Sequence, residues 1–365
     1  MIHKSDIKDL LAHAGDNLVS IFAPMDKVFP ASDKNPLVVK NLIRDAEKKL
    51  MEQNPQRAAD LIQKLWDLNA QTDYTHTDHG IAFYVSEEVA RVMHLPFRPQ
   101  PEVFVDSTFH TRYLMQGLSQ NLPYYLLVIS EANSRLFYGM GETLMQIEDN
   151  EFPFHHAGPS RTEPVSRTLR TDVEYEILED TRIFLREIDD RLKDRLYKEK
   201  LPLWVAGEDE YISFIKEHTQ TGKHIAGEIK DNLVHDNVNK LATRVAPMVQ
   251  AYRNKLVTAR LAGLEEAIGY EKYAGGLHNV WKAAQQGQVL SMLVENNYRV
   301  PGKIDPENIL KIHIAKESDT SEDVHQDIVD TLIETVTTMD GEVIFVEDGK
   351  LAKHGQIAAL LRFTI

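Results

Sequence analysis

Apolar residues along this chain follow two rhythms, helical spacing and short unbroken runs. The first run, LVSIFA at 18–23, predicts a strand with both sides covered. Asn35-Pro36 then reads as a helix start, with asparagine capping and proline in the first helical position. Leu37, Val38, Leu42, Ile43, Ala46 and Leu50 carry that helix forward. Residues 80–85 and 89–94 predict a hairpin that stops at Leu95-Pro96. Together these elements predict a small α/β domain over residues 1–118.

Three strand-like runs follow, at 124–130, 134–138 and 143–147, separated by turns at Glu131-Ala132-Asn133 and Gly139-Met140-Gly141. They predict an antiparallel meander. The polar stretch 150–171 comes next, and then a charged helix over 172–198 with Ile177, Ile183, Phe184, Ile188 and Leu192 as its apolar positions. Residues 203–206 read as a buried strand followed by a helix. From Asp236, the positions Val238, Leu241, Ala242, Val245, Met248, Val249, Tyr252 and Leu256 form one helical stripe. Pro247 lies within it and predicts a kink or break. Residues 269–276 contain glycines and read as a linker. Beyond them the pattern predicts a helix at 280–286, a strand at 289–295, a helix at 324–339 and closing strands at 343–347 and 357–363. Strands separated by helices imply a three-layer α/β domain.

Composition narrows the class. The chain has 365 residues, enough for two or three domains, and 42% hydrophobic content, ordinary for a folded protein. There is no cysteine, so no disulfide framework, thiolate nucleophile or Cys-ligated zinc is available. No apolar run reaches bilayer length and the N-terminus lacks a signal-peptide block, which predicts a cytoplasmic protein with no membrane partner. Lys and Arg total 41 against 56 Asp and Glu, and acid exceeds base in every third of the chain. Broad phosphate binding is thereby excluded, and any nucleic-acid contact must be a local patch.

The order of elements and several phrases resemble the bacterial relatives of the archaeo-eukaryotic peptide chain release factor, a group akin to the ribosome-rescue factor Pelota. The residues that carry the resemblance are spread along the chain. They are 19–24 with Asn35-Pro36, residues 80–85 leading to Leu95-Pro96, the meander at 124–147, the phrase LPLWVAG at 201–207, and the end at 341–345 with 358–363. The resemblance implies a multi-domain α/β chain in three parts. Residues 1–118 would be an N-terminal α/β domain specific to the bacterial group. Residues 119–272 would be a ribonuclease-H-like mixed-sheet domain. Residues 273–365 would be an α/β/α domain like that of release factors and RNA-binding ribosomal proteins. In peptide-releasing members a Gly-Gly-Gln loop precedes the long helix of the middle domain.

Here the matching loop reads NEFPFHHAGPSRTEPVSRTLRT, with one glycine, Gly158, and no glutamine. That departure argues against peptide release and leaves open whether the chain is an enzyme. His155 and His156 are the candidate catalytic residues of the loop, since neutral imidazoles serve as bases. Arg161, Arg167 and Arg170 are its candidate RNA contacts, because guanidinium forks match phosphate geometry; pairing with Glu163, Asp172, Glu174 and Glu176 is the plain alternative. The Gly355-Gln356 pair lies between the closing strands and reads as a turn, and Gly275-Gly276 falls in the linker. Asp73, His76, Asp78 and His79 have metal-ligand chemistry but read as a polar turn before a strand. No metal site and no cofactor is predicted. The leading expectation is a translation-associated factor that engages ribosome or tRNA, with no DNA partner. A non-catalytic protein-interaction module is the alternative, and a metal-dependent hydrolase or nuclease the third. The residues do not specify an oligomeric state.

Overall fold

In the computed structural model, residues 4–26, 31–53, 55–74, 79–130, 133–156, 170–316, 324–325 and 327–363 are described. Their contacts gather into two compact units, one made of Met1–Gln120 with Leu256–Ile365 and the other of Asn121–Lys255. The mixed α/β, multi-domain architecture expected from the sequence is present. No helix among the described residues is long and apolar enough to cross a membrane.

The first part of unit 1 runs α1 (Lys4–Leu11), β1 (Ala14–Pro24), α2 (Asn35–Gln53), α3 (Pro55–Gln71), β2 (Gly80–Val85), β3 (Ala90–Leu95), β4 (Glu102–Thr108) and α4 (Arg112–Gln120). The strands form an antiparallel sheet in the order β3-β2-β1-β4. Val19, Ile21, Ala23, Ile81, Phe83 and Val85 project to one face, where α2 and α3 cover them with Ile43, Ala46, Leu50, Leu61 and Leu65. The opposite face is aromatic, with Phe22 against Tyr113 (4.7 Å between centroids) and Tyr84 against Phe109 (5.4 Å). Two covered faces explain why β1 and β2 are unbroken apolar runs rather than alternating ones. Each fully buried Leu, Val or Phe there contributes about 1.5–3 kcal/mol. Asn35 opens α2, as the sequence predicts, but its side chain binds the incoming loop instead of capping the helix. Its Oδ1 accepts from the Asp26 N–H (3.0 Å) and its Nδ2 donates to the Asp26 carbonyl (2.9 Å).

Unit 2 contains β5 (Pro123–Ile129), β6 (Asn133–Met140), β7 (Thr143–Gln146), β8 (Phe154–His155), α5 (Arg170–Glu199), β9 (Leu203–Gly207), α6 (Asp209–His218), β10 (Ile225–Lys230) and the first part of α7 (Val238–Gly269). The sheet order is β10-β9-β5-β6-β7, with β8 added to the start of β6. β5, β6 and β7 form the predicted meander, while β9 and β10 run parallel to β5. Tyr124, Leu126, Val128, Trp204 and Ala206 pack against Leu241, Val245 and Val249 of α7. From the other face Tyr125 donates its hydroxyl to Glu199 at the end of α5 (2.6 Å). Pro247 lies inside α7 without ending it; the residue is exposed, so the missing N–H falls on the solvent side. Ile183, expected inward, is exposed, and Leu185 and Leu196 join Phe184, Ile188 and Leu192 in the buried stripe of α5.

The division between units falls within α7. The remainder of unit 1 is the end of that helix, β11 (Tyr273–Gly275), α8 (Leu277–Gln285), β12 (Val289–Glu295), β13 (Gly302–Ile304), β14 (Ile312–Ile314), α9 (Ile328–Thr338), β15 (Glu342–Val346) and β16 (Ile357–Leu361). Residues 269–276, read as a linker, are instead the close of α7, a turn and strand β11. The sheet order is β11-β16-β12-β15, with β12 and β15 parallel. Leu293, Ile344, Val346 and Ala358 meet Leu264, Leu261 and Val257 of α7 on one face. The neighbouring positions Met292, Val294, Phe345 and Ile357 are also buried, on the side of α8 and α9. This is the three-layer α/β/α arrangement.

A seam of buried charge joins the two parts of unit 1. Arg112, 4% exposed, pairs with Asp327, 9% exposed, at 2.9 Å, and donates to the carbonyls of Asn296 (3.2 Å) and Tyr298 (2.7 Å). Asp327 also caps α9 by accepting from the Val329 N–H (3.1 Å). Beside it the His110 ring stacks on Phe104 and binds Asp330 through Nδ1 (2.8 Å) and Asp106 through Nε2 (3.3 Å). Burial opposes charge on His110, but its bonds to Asp106 and Asp330 outweigh that and hold its pKa at about 10. Glu334, half-buried and next to Asp330, is pushed up to about 9, mainly by its loss of solvent. Burial likewise lifts Asp327 to about 6 against the opposing pull of Arg112.

Candidate functional site

The loop predicted to carry the chemistry leaves β7, adds β8 to the sheet and returns as α5. Its first residues are built onto the flank of α5. Asp149 Oδ1 accepts from the N–H groups of Glu151 and Phe152 (both 2.9 Å), which turns the chain. Asp149 Oδ2 accepts from Arg195 (2.5 Å). Partial burial works against the charge on Asp149, yet the two backbone bonds and Arg195 hold its carboxyl below the usual carboxylate range. One turn of α5 earlier Arg191 faces Glu151 (3.6 Å) and lies 3.7 Å over the Phe154 ring. Another turn back, Glu187 binds His156 Nδ1 (3.1 Å). Phe184 stacks on Phe154 at 5.7 Å. Glu187, Arg191 and Arg195 thus occupy successive turns of one helix face, and each takes up a different point of the loop.

The two candidate histidines are adjacent in sequence and separate in partnership. His155 is exposed and its Nδ1 binds Asn133 Oδ1 across the β6–β8 ladder, whereas His156 turns to Glu187 and Phe184. Among the described residues no group of three histidines or carboxylates is placed to hold a metal ion. Gly158, Arg161 and Arg167 lie outside the described residues. Arg170 is the first residue of α5. Of the polar turn before β2, His76 and Asp78 also lie outside them. Among the described residues the base of the loop is a charge-paired mount, with Glu187, Arg191 and Arg195 on successive turns of α5.

Sequence reasoning missed the mount because its partners are far apart in the chain. The signal available was the four-residue spacing of Glu187, Arg191 and Arg195. Asp189, also on α5, holds a turn. Its carboxylate accepts from the N–H groups of Thr221 (2.9 Å) and Gln220 (3.2 Å). Gln356 is exposed, at φ +67°, with its amide 3.4 Å from buried Glu295, and Gly355 adopts φ +72°. The Gly-Gln pair is a turn.

Residues 123–288, from the start of β5 past the end of α8, match the model of bacterial archaeo-eukaryotic release factor family 3. Over those residues the chain is release-factor-like. The release-factor-like segment contains the meander, the loop with His155, His156 and the three arginines, its mount on α5, and the whole of α7. No curated protein matches the chain. Among solved structures, S. cerevisiae Dom34, described as a translation termination-like factor, is 11% identical with a TM-score of 0.41, over 100% of this chain and 92% of that one. Archaeoglobus fulgidus Pelota is 17% identical with a TM-score of 0.30, over 76% of each chain. The archaeal termination factor aRF1 is 16% identical with a TM-score of 0.26, over 99% of each.

Proposed function

We propose that this chain is a cytoplasmic, translation-associated factor that engages the ribosome or a tRNA without Gly-Gly-Gln peptide release. The observation that carries the reading is the family match over 123–288, which takes in the loop and its mount together. The sheet order β10-β9-β5-β6-β7, a meander continued by two parallel strands, supports a ribonuclease-H-like reading of this region. In the proposed role the loop 150–171 is the tip, Arg161, Arg167 and Arg170 contact RNA phosphates, and the α5 mount holds the tip's base. His155 and His156 are the groups nearest to hand for any hydrolytic step. A second reading, a protein-interaction module with no RNA partner, is favoured by the excess of acid in every third of the chain.

The test is cosedimentation of the purified chain with bacterial ribosomes across a salt series, alongside an Arg161→Ala/Arg167→Ala/Arg170→Ala variant. Saturable binding, weakened by salt and by the triple change, is the expected result. Absence of binding at low salt overturns the ribosomal reading in favour of the protein-interaction module.

A further inference from the structure

Unit 1 consists of two bodies, each with a core of its own. The core under α2 and α3 draws on residues 19–105, and the core beneath the end of α7 on residues 257–360. The chain passes from one body to the other only by way of unit 2, Asn121–Lys255. Much of what crosses the seam between them is polar. Besides the contacts of Arg112, Arg299 donates to Glu102 (2.7 Å) and to the Tyr113 hydroxyl (2.9 Å). Gln120 donates to Asn296 (3.0 Å), and the Phe345 N–H to Ser119 (2.8 Å). Separate cores with a polar boundary are the arrangement in which bodies move relative to one another.

The seam also holds more acid than base. Strand β4 brings Glu102 and Asp106, and α9 with its cap brings Asp327, Asp330 and Glu334. Against these five carboxylates stand His110, Arg112 and Arg299. Asp330 is 4% exposed, and its enclosed Oδ1 has no hydrogen-bond donor among the described residues. Glu334 stands one turn further along α9, a spacing at which two carboxylates repel. A proton held between the two carboxyls relieves that repulsion and gives Asp330 its missing donor. Of the surrounding elements, β2 brings Tyr84, whose hydroxyl donates to the His110 carbonyl (3.0 Å), and His325 bears on Asp106. From α1 comes Lys8, paired with Asp340 at the exposed rim (2.9 Å). The charges of α8 and β15, His278, Lys282 and Glu342, are at exposed positions.

We propose that the seam is a proton-held latch, at which the N-terminal body parts from the closing α/β/α body with both bodies intact. Closed, the seam keeps protons on His110 to about pH 10 and on Glu334 to about pH 9, well above the ordinary range of an imidazole or a carboxyl. Their contribution to closure is therefore complete below those ordinary values and is lost as pH rises through the closed-state ones. In the window between, opening sheds up to two protons, and each makes the opening equilibrium climb about tenfold per pH unit.

The chain has no cysteine, so a single introduced thiol reports on one place. Met115→Cys puts it on α4, where the Met115 side chain is buried with its sulfur 3.6 Å from Thr337 of α9; Ala46→Cys puts it in the N-terminal core. The measurement is alkylation by iodoacetamide, divided by the rate for glutathione at the same pH, with circular dichroism confirming the fold of each variant. The seam thiol is expected to react faster than the core thiol throughout, and to accelerate by up to about 100-fold from pH 7 to pH 8. Adding Glu334→Gln, which keeps a hydrogen for Asp330 but has no proton to lose, should cut that acceleration to about 10-fold. A corrected seam rate that stays level from pH 7 to pH 9 overturns the latch. Equal rates at the two thiols overturn it as well, since the bodies then unfold together instead of parting. An acceleration untouched by Glu334→Gln overturns the proton shared with Asp330.

Discussion

Arg195 holds Asp149 at 2.5 Å and Arg112 holds Asp327 at 2.9 Å, but the surroundings of the two pairs differ. The first pair is about a quarter to a third exposed, on the flank of a helix, and helps hold down a loop. The second is almost wholly enclosed between two parts of unit 1 and is joined there by His110, Asp330 and Glu334. Water screens the first and makes it easily replaced, whereas the second has surrendered its hydration to be where it is. Their response to pH should differ as well. Asp149 has its carboxyl held low, so its contribution is present above the ordinary carboxylate pKa and is lost as pH falls. His110 and Glu334 have theirs raised, so their contribution is full at low pH and is lost as pH rises. Asp106, also held low by His110, gives unit 1 an acid limb too, whereas the loss between pH 7 and 10 comes from His110 and Glu334.

The largest effect should come from removing one partner of the buried pair. Arg112→Ala leaves Asp327 enclosed with only the more distant Arg299 (4.0 Å) beside it and should cost about 3–5 kcal/mol of stability. Urea unfolding with hydrogen exchange resolved by peptide should place that loss in unit 1; a loss under about 1 kcal/mol would show the seam to be no different from a surface pair. Next in size is the alkaline limb. Between pH 7 and 10 the folded state must give up the proton on His110 and the one on Glu334, so thermal stability should fall. Glu334→Gln, neutral throughout, should flatten that fall, and an unchanged slope would remove Glu334 from the account. Smaller still, Asp149→Asn should cost up to about 1 kcal/mol at pH 7, a difference that shrinks to nothing only as pH falls through the lowered pKa of Asp149, read from acid titrations of the two proteins. The least effect is expected from Glu187→Gln, within about 0.5 kcal/mol in the same unfolding assay.

The sheets were legible because strands covered on both faces must be unbroken apolar runs, as at Gly80–Val85 and Leu203–Gly207. β10 was not legible: IAGEIK has one fully buried residue, Ile229, and most of its positions are half exposed, so neither alternation nor a run appears. α3 escaped for a related reason, with only Ala58, Leu61 and Leu65 buried along its length. Gly275-Gly276 reads in sequence as part of a linker because glycine marks both a flexible joint and a fixed positive-φ corner, and the latter depends on residues at 353–355 that are distant in sequence. At the candidate site the loop and its histidines could be named from the sequence, but the α5 mount could not. Each of its charges has near neighbours of opposite sign, and the actual partners, such as Asp149 for Arg195, lie 46 positions away.

The Arg112–Asp327 contact closes a chain separation of 215 residues, and Asn121–Lys255 lies between its two ends. During synthesis the cation therefore emerges long before its anion. The middle of the chain can complete its own core while the first 120 residues still lack the helix and sheet that bury Arg112. Unit 1 is a body whose assembly waits for the last part of the chain, so loss of α9 should be felt first near α4, on the opposite side of the sequence.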